Sequence, residues 1–386
     1  MAKAKKALME NKNEKVELAL ELRKKMIGKI IKSSNDTYGE GYTNILSSEN
    51  IRSIVRNTIT TGAPSLDAIL ARDSSGKCGA PVGRIIGISG PEASGKTTLG
   101  VALLTQTQRM GGVARLIETE HAFDPSYSKK LGLNIDELLI SQPDYLEQAL
   151  DMILIDIEKF KEAREEYVSE TGEEWTIPMT ILFDSIAGSP AKAEWEAGSF
   201  ETNQALGLHA RQLSKFFRKI ANIVSKENIC LICTNQQKTD TKITYGDSSA
   251  EIGGKALKFH ASIRMKISRR EFIYNNQTEK IAIGIRSTIK TVKNKVMPPY
   301  KEVIIPIYFN KGINYAESML DLLIESNMLK KSKNTFEFSR TIGGKLVEFS
   351  GVKAKAKKWI TDISESPKLK RHLERAVYDE IFKDAD

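Results

Sequence analysis

The octapeptide Gly90-Pro91-Glu92-Ala93-Ser94-Gly95-Lys96-Thr97 has the GxxxxGKT spacing of a phosphate-cradling loop. Its backbone N–H groups can surround phosphate oxygens, and a helix opening at Lys96 adds the favourable field of its N-terminus. The Lys96 ammonium is long enough to reach the β- and γ-phosphates, and the Thr97 hydroxyl is a hard oxygen ligand suited to Mg²⁺. Thr98 continues the same edge. The pattern implies binding of ATP with Mg²⁺.

Two further sets of residues complete a hydrolytic constellation. The apolar run 180–183 ends in Asp184, where a second contact to Mg²⁺, through water, is expected. Hydrolysis also needs a group that orients or deprotonates water, and the run 113–117 leads directly into Glu118-Thr119-Glu120-His121. On residue type alone either Glu118 or Glu120 serves, or both are structural acids.

These residues need a scaffold that brings strand ends to one edge. Short apolar runs at 84–89, 113–117, 180–183 and 229–233 read as strands, and helical patterns separate them. That alternation predicts an α/β fold with a mostly parallel sheet covered by helices on both faces. The chain divides into an amino-terminal helix and linker over 1–57, an ATPase core over 58–315 and a small basic α+β domain over 316–386. Residues 12–32 form an amphipathic stripe, which either packs on its own domain or docks on a neighbouring subunit. Residues 33–57 read as a linker, and 158–174 as a charged surface extension of a helix. A hairpin turn is expected at Gly343-Gly344.

Composition narrows the function classes. The 386 residues are 40% hydrophobic and 28% charged, with no apolar run of the ~18 residues a membrane helix needs. No targeting segment is recognisable, so the expected location is cytoplasmic. The formal net charge of +9 suggests a polyanionic partner. Cys230 and Cys233 lie within one apolar run, where strand alternation sends them to opposite faces as buried core residues. The four histidines lack the close pairing of zinc sites.

The segments GPEASGKTTL, ETEHAFDPSYSKKLGLNIDELLISQPDYLEQAL, DSIAGSPAKAE, GGKALKFHASIR and VKNKV stand in the order and spacing of similar segments in bacterial RecA recombinases. The chain resembles that family well over about 55–315 and loosely at its ends. The resemblance implies a RecA-type P-loop ATPase core. It implies that Glu120 activates water, that Asp124 and Tyr127 contact adenine, and that Gln236 senses the γ-phosphate. Lys293 and Lys295 would reach the γ-phosphate of the adjacent subunit. DNA would lie against a first loop over 194–207 that includes Leu206, against Arg211 and Arg218 on the following helix, and against a second polar loop. That second region supplies Lys238, Thr241, Tyr245, Gly246, Gly253, Gly254 and Lys255. Leu206 and Thr241 occupy positions of the family's apolar wedges, and Thr241 is a departure. Arg211 and Arg218 are seven residues apart, close to two helical turns.

The implied function is an ATP-dependent recombinase that forms a helical homopolymer on single-stranded DNA and pairs it with homologous double-stranded DNA. Single-strand-binding and mediator proteins are expected further partners. The competing readings are a hexameric, helicase-like motor of the same superfamily and a nucleotide switch that coats DNA without turnover.

Overall fold

The computed structural model describes residues 2–39, 43, 55–197, 207–239, 249–251, 256–275 and 280–383; side chains before 17 and those of 237–239 and 249–251 are not described. Two compact units result, Met1–Ile54 and Val55–Asp386.

The first unit is dominated by the helix Ala2–Tyr38. It runs beyond the expected 12–32 into what the sequence marks as linker. Ser33, Asp36 and Thr37 there are exposed along the helix, and Asn35 closes its end by holding both the N–H and the C=O of Thr43.

In the second unit the four expected strands are Arg84–Gly90, Val113–Glu118, Met179–Asp184 and Ile229–Thr239. The sheet runs in the order Leu138–Ser141, Val113–Glu118, Met179–Asp184, Ile229–Thr239, Arg84–Gly90 and Ile263–Tyr274, with each neighbour parallel. Ala282–Asn294, Glu302–Tyr308 and Gly312–Ile313 extend it with antiparallel pairings. This is the α/β architecture expected, a parallel centre widened by antiparallel strands.

Period-two alternation builds a core on each face. Ile86, Ile88, Leu116, Leu182, Cys230 and Ile232 join one cluster with Leu99, Leu103 and Leu104 of the helix Lys96–Arg109. Ile85, Ile117, Ile181, Phe183, Leu231 and Cys233 join the other, under the helices Leu146–Thr171 and Leu208–Val224. Cys230 and Cys233 therefore lie on opposite faces, both buried. Close approach of the Lys96–Arg109 helix depends on Gly100, where a Cβ would come within 2.6 Å of Leu182 Cδ2.

The helix Leu146–Thr171 carries the charged extension and stops at Gly172, whose φ of 71° suits a C-terminal cap. Trp175 then returns to pack edge-on against Phe160 and Tyr167.

Beyond the sheet, the helices Tyr315–Glu325, Lys353–Ser364 and Pro367–Phe382 cover the hairpin Thr335–Ile342 and Lys345–Val352. Gly343 and Gly344, with φ of 57° and 80°, make its two-residue turn, which needs left-handed backbone at both positions. Their core also takes in Ala68 and Cys78 from the region before the phosphate loop. Among the described residues no helix is long and apolar enough to cross a membrane.

Candidate active site

Parallel pairing places the carboxyl ends of neighbouring strands side by side, which is where open α/β sheets hold their ligands. The register puts Gly90 opposite Gln236 and Glu118 opposite Asp184. Sequence-distant polar residues thus meet at one edge because the apolar strands behind them are in register.

The phosphate loop turns tightly from its strand into its helix. Ala93 and Gly95 both have left-handed φ, 54° and 99°. A Cβ at Gly90 would lie 2.1 Å from the carbonyl oxygen of Ile267, and one at Gly95 would lie 2.7 Å from Ile307 Cδ1. Gly90 has no room for a side chain, and at Gly95 the left-handed φ also disfavours one. Ser287 Oγ donates to the Ser94 carbonyl at 2.8 Å and pins the loop to the antiparallel part of the sheet.

Lys96 folds back over the loop, its Nζ donating to the carbonyls of Gly90 and Pro91 at 3.0 and 2.8 Å. Partial burial lowers its pKa, while Asp184, Glu120 and Glu92 oppose that shift. Thr97 Oγ1 donates to Asp184 Oδ2 at 2.7 Å, and Thr234 Oγ1 donates to Asp184 Oδ1. Burial raises the Asp184 pKa, against the two hydroxyl bonds. One hydroxyl and one carboxylate make a hard oxygen pair. This fits Mg²⁺, which takes one or two protein oxygens and completes its shell with water and phosphate.

The two acids that residue type alone left open differ in burial and bonding. Glu118 is buried: its Oε1 accepts from the N–H groups of Glu120 and Ala122, both at 3.0 Å, and its Oε2 accepts from Gln142 Nε2 at 2.8 Å. It holds the turn after its strand. Glu120 is exposed, and its Oε1 accepts from Ser185 Oγ at 2.5 Å and from Gln236 Nε2 at 3.1 Å. Glu120, Gln236, Asp184, Thr97 and Lys96 therefore form one constellation.

Asp124 and Tyr127 lie on the short helix Pro125–Lys130. Asp124 caps it, its Oδ1 accepting from the N–H groups of Ser126 and Tyr127 at 2.8 and 3.1 Å. Tyr127 is half-buried, and Asp124 is exposed.

Lys293 and Lys295 stand apart from the phosphate loop in sequence and in bonding. A register shift falls between Thr291 and Lys293, and the strand ends at Asn294. Simple alternation therefore does not govern this pair. Lys293 Nζ donates to the carbonyls of Lys258 and Phe259 at 2.8 and 3.0 Å. Burial first, then repulsion from Lys295 and Arg264, lowers the Lys293 pKa to about 8. His260 feels Arg218, Lys293 and Lys295 as well, so these cations share one region of field.

Arg211 and Arg218 are exposed on the helix Leu208–Val224, whose opposite face buries Leu213, Phe216, Phe217 and Ile220. Arg218 Nε donates to the Ser214 carbonyl at 3.2 Å. Lys238 lies on the strand Ile229–Thr239, which extends well past its apolar run. Leu206, Thr241, Tyr245, Gly246, Gly253, Gly254 and Lys255 lie outside the described residues.

Sequence reasoning missed Ser185, Thr234 and Thr119. Thr119 Oγ1 donates to the Ser185 carbonyl at 2.7 Å and accepts from its N–H at 3.0 Å. The only available signal was position: each is a hydroxyl residue at or beside the end of a parallel strand.

Comparison with known proteins identifies the family. The family model "RecA N-terminal domain" matches residues 25–314. The chain is 37% identical to Protein RecA of Geobacter sulfurreducens over 321 residues, 83% of this chain and 85% of that protein. It is 40% identical to Protein RecA of Borrelia hermsii over 268 residues, 69% of this chain and 70% of that one. With Protein RecA of Chlamydia pneumoniae it shares 36% over 325 residues, 84% and 82% of the two chains. A family model that spans most of the chain and relatives of this identity and coverage make this protein a member of the RecA family.

Proposed function

We propose that this chain polymerises on single-stranded DNA, pairs it with homologous double-stranded DNA, and hydrolyses ATP with Mg²⁺ at the constellation just described. Membership of the RecA family makes it an ATP-dependent DNA recombination and repair protein and an ATPase, which binds DNA and assembles into filaments. The helicase-like motor is not favoured. The cytoplasm is its proposed place of work, and single-strand-binding and mediator proteins are proposed partners.

The observation that carries the reading is the bond from Gln236 to Glu120. Gln236 lies on the strand that continues to Thr239, beyond which the sequence carries the second polar segment. A γ-phosphate can recruit the Gln236 amide, because a neutral amide can both bond a phosphate oxygen and release it. Its departure from Glu120 would shift the strand end that leads to DNA. Nucleotide state and DNA contact would then be joined through one peptide, as in other segments ordered by a γ-phosphate.

In the proposed mechanism the phosphate-loop N–H groups and Lys96 hold the β- and γ-phosphates, and Thr97, with Asp184 through water, would hold Mg²⁺. The ion would neutralise charge developing on the phosphate oxygens. Glu120 takes the proton of the attacking water. Asp124 and Tyr127 border the adenine. Lys293 and Lys295 enter from a neighbouring copy toward the γ-phosphate, an anion that would ease the repulsion Lys293 feels from Lys295. Arg211 and Arg218, with Leu206, Lys238, Thr241, Tyr245, Gly246, Gly253, Gly254 and Lys255, are the proposed contacts to the DNA backbone and bases.

Electron microscopy with single-stranded DNA and a non-hydrolysable ATP analogue tests this reading. Helical filaments that require both ligands are expected. Closed rings formed without DNA would favour the motor instead.

A further inference from the structure

We infer that Ser185 is a positioning residue for ATP hydrolysis, setting the direction of the water-activating carboxylate of Glu120. The inference rests on the proposed role of Glu120 and goes beyond it.

Ser185 is fully buried, directly after Asp184, and its Oγ donates to Glu120 Oε1 at 2.5 Å. Glu120 itself is exposed and follows the end of its strand, so its own backbone leaves several side-chain directions open. A buried donor is the group that selects one of them.

Ser185 in turn is held from several sides. Thr119 Oγ1 bonds both its N–H and its carbonyl, and the Thr119 N–H donates to the Asp184 carbonyl at 2.9 Å. The next residue, Ile186, donates its N–H to the Thr234 carbonyl at 3.1 Å. Gly188 closes the turn over this clasp; a Cβ there would lie 2.3 Å from Thr119 Oγ1. The hydroxyl thus belongs to a rigid joint between three strand ends.

Both donors to Glu120, Ser185 and Gln236, reach the same oxygen, Oε1. Among the described residues Oε2 accepts no hydrogen bond, so it is the oxygen left for water. The two donors differ in freedom. Gln236 is half-buried at the end of a long strand and can leave for a γ-phosphate, whereas Ser185 is locked. Ser185 then keeps Glu120 aimed during the interval when Gln236 is engaged elsewhere.

The test is a double-mutant cycle on the full chain with single-stranded DNA, reading kcat and KM for ATP. Ser185→Ala is expected to lower kcat by about 10–100-fold, the cost typical of a misaimed reacting group, with KM changed by less than about two-fold. In a Glu120→Gln background the same substitution is expected to change kcat by less than about two-fold, since no base remains to aim. Ser185→Cys preserves size in the buried site while supplying a weaker donor, and an intermediate kcat is expected. It also serves as the measured variant if Ser185→Ala does not fold. Equal losses from the Ser185 substitution in both backgrounds, or wild-type kcat in the substituted chain, would overturn the inference. A crippled Glu120→Gln beside a fully active Ser185→Ala removes only the role of Ser185. Normal turnover by Glu120→Gln removes the base assignment and the Ser185 role with it.

Discussion

Exchanging each of two neighbouring glutamates for glutamine should produce opposite phenotypes. Glu120→Gln keeps the Oε1 acceptor for Ser185 and Gln236 but cannot take a proton from water. Loss of a general base costs about 10²–10⁴ in kcat, or roughly 2.7–5.4 kcal/mol of barrier at 1.36 kcal/mol per tenfold. Nucleotide binding should persist, because Lys96, Thr97 and the loop N–H groups are untouched. Glu118→Gln instead weakens three bonds at a buried carboxylate, two from backbone N–H groups and one from Gln142. A hydrogen bond to a charged acceptor is worth about 1 kcal/mol more than one to a neutral acceptor, so stability should fall by roughly 3 kcal/mol. Turnover of the folded fraction should remain within a few-fold of wild type. Single-turnover hydrolysis with single-stranded DNA, run beside urea denaturation, separates the two effects. A Glu118→Gln chain that is stable and inactive, beside a Glu120→Gln chain that turns over normally, would refute the assignment.

Three further outcomes follow from other residues. Asp67 is wholly buried, and burial raises its pKa to about 7 despite bonds from Thr60 and Thr61. Its carboxyl stays protonated in the fold while ionising in the unfolded chain, so its stabilising contribution is full below about pH 4 and is lost as pH rises through 7. Urea midpoints should show that loss in the wild type, and Asp67→Asn should flatten it; parallel curves for the two proteins would contradict this. Chains carrying Lys293→Ala with Lys295→Ala should be inactive yet regain part of their activity when co-assembled on DNA with Lys96→Ala chains, and complete absence of rescue in mixed filaments would remove the shared site. Cys78, Cys230 and Cys233 are buried, and burial pushes the Cys230 thiol up to about 12 and the other two higher. None should react with a thiol reagent until urea unfolds the chain, and fast labelling of the native protein would show the core to be open.

The phosphate loop and Asp184 were legible because their chemistry is local: eight consecutive residues, and one carboxylate closing an apolar strand. The parallel centre of the sheet was legible from apolar runs, down to the opposite faces of Cys230 and Cys233. The strand from Ile229 outruns its apolar segment because Arg84–Gly90 offers ladder partners as far as Gln236, which no periodicity in 234–239 reveals. On residue type alone Glu118 and Glu120 could not be told apart, and only the family resemblance chose Glu120, since the Gln142 that bonds Glu118 lies 24 residues later. Ser185 was invisible for the same reason: its partner is 65 residues away. For the lysine pair, a register shift and the carbonyls of Lys258 and Phe259, 35 and 34 residues away, decide where Lys293 points.

Strand exchange between a single-stranded circle and a homologous linear duplex tests the central claim most directly. With ATP and Mg²⁺ the protein should convert the pair into joint molecules and then nicked circles, and a heterologous duplex should give none. Lys96→Ala should abolish the reaction. DNA-stimulated ATP hydrolysis without joint molecules, or strand separation indifferent to homology, would contradict the assignment of this chain as a recombinase.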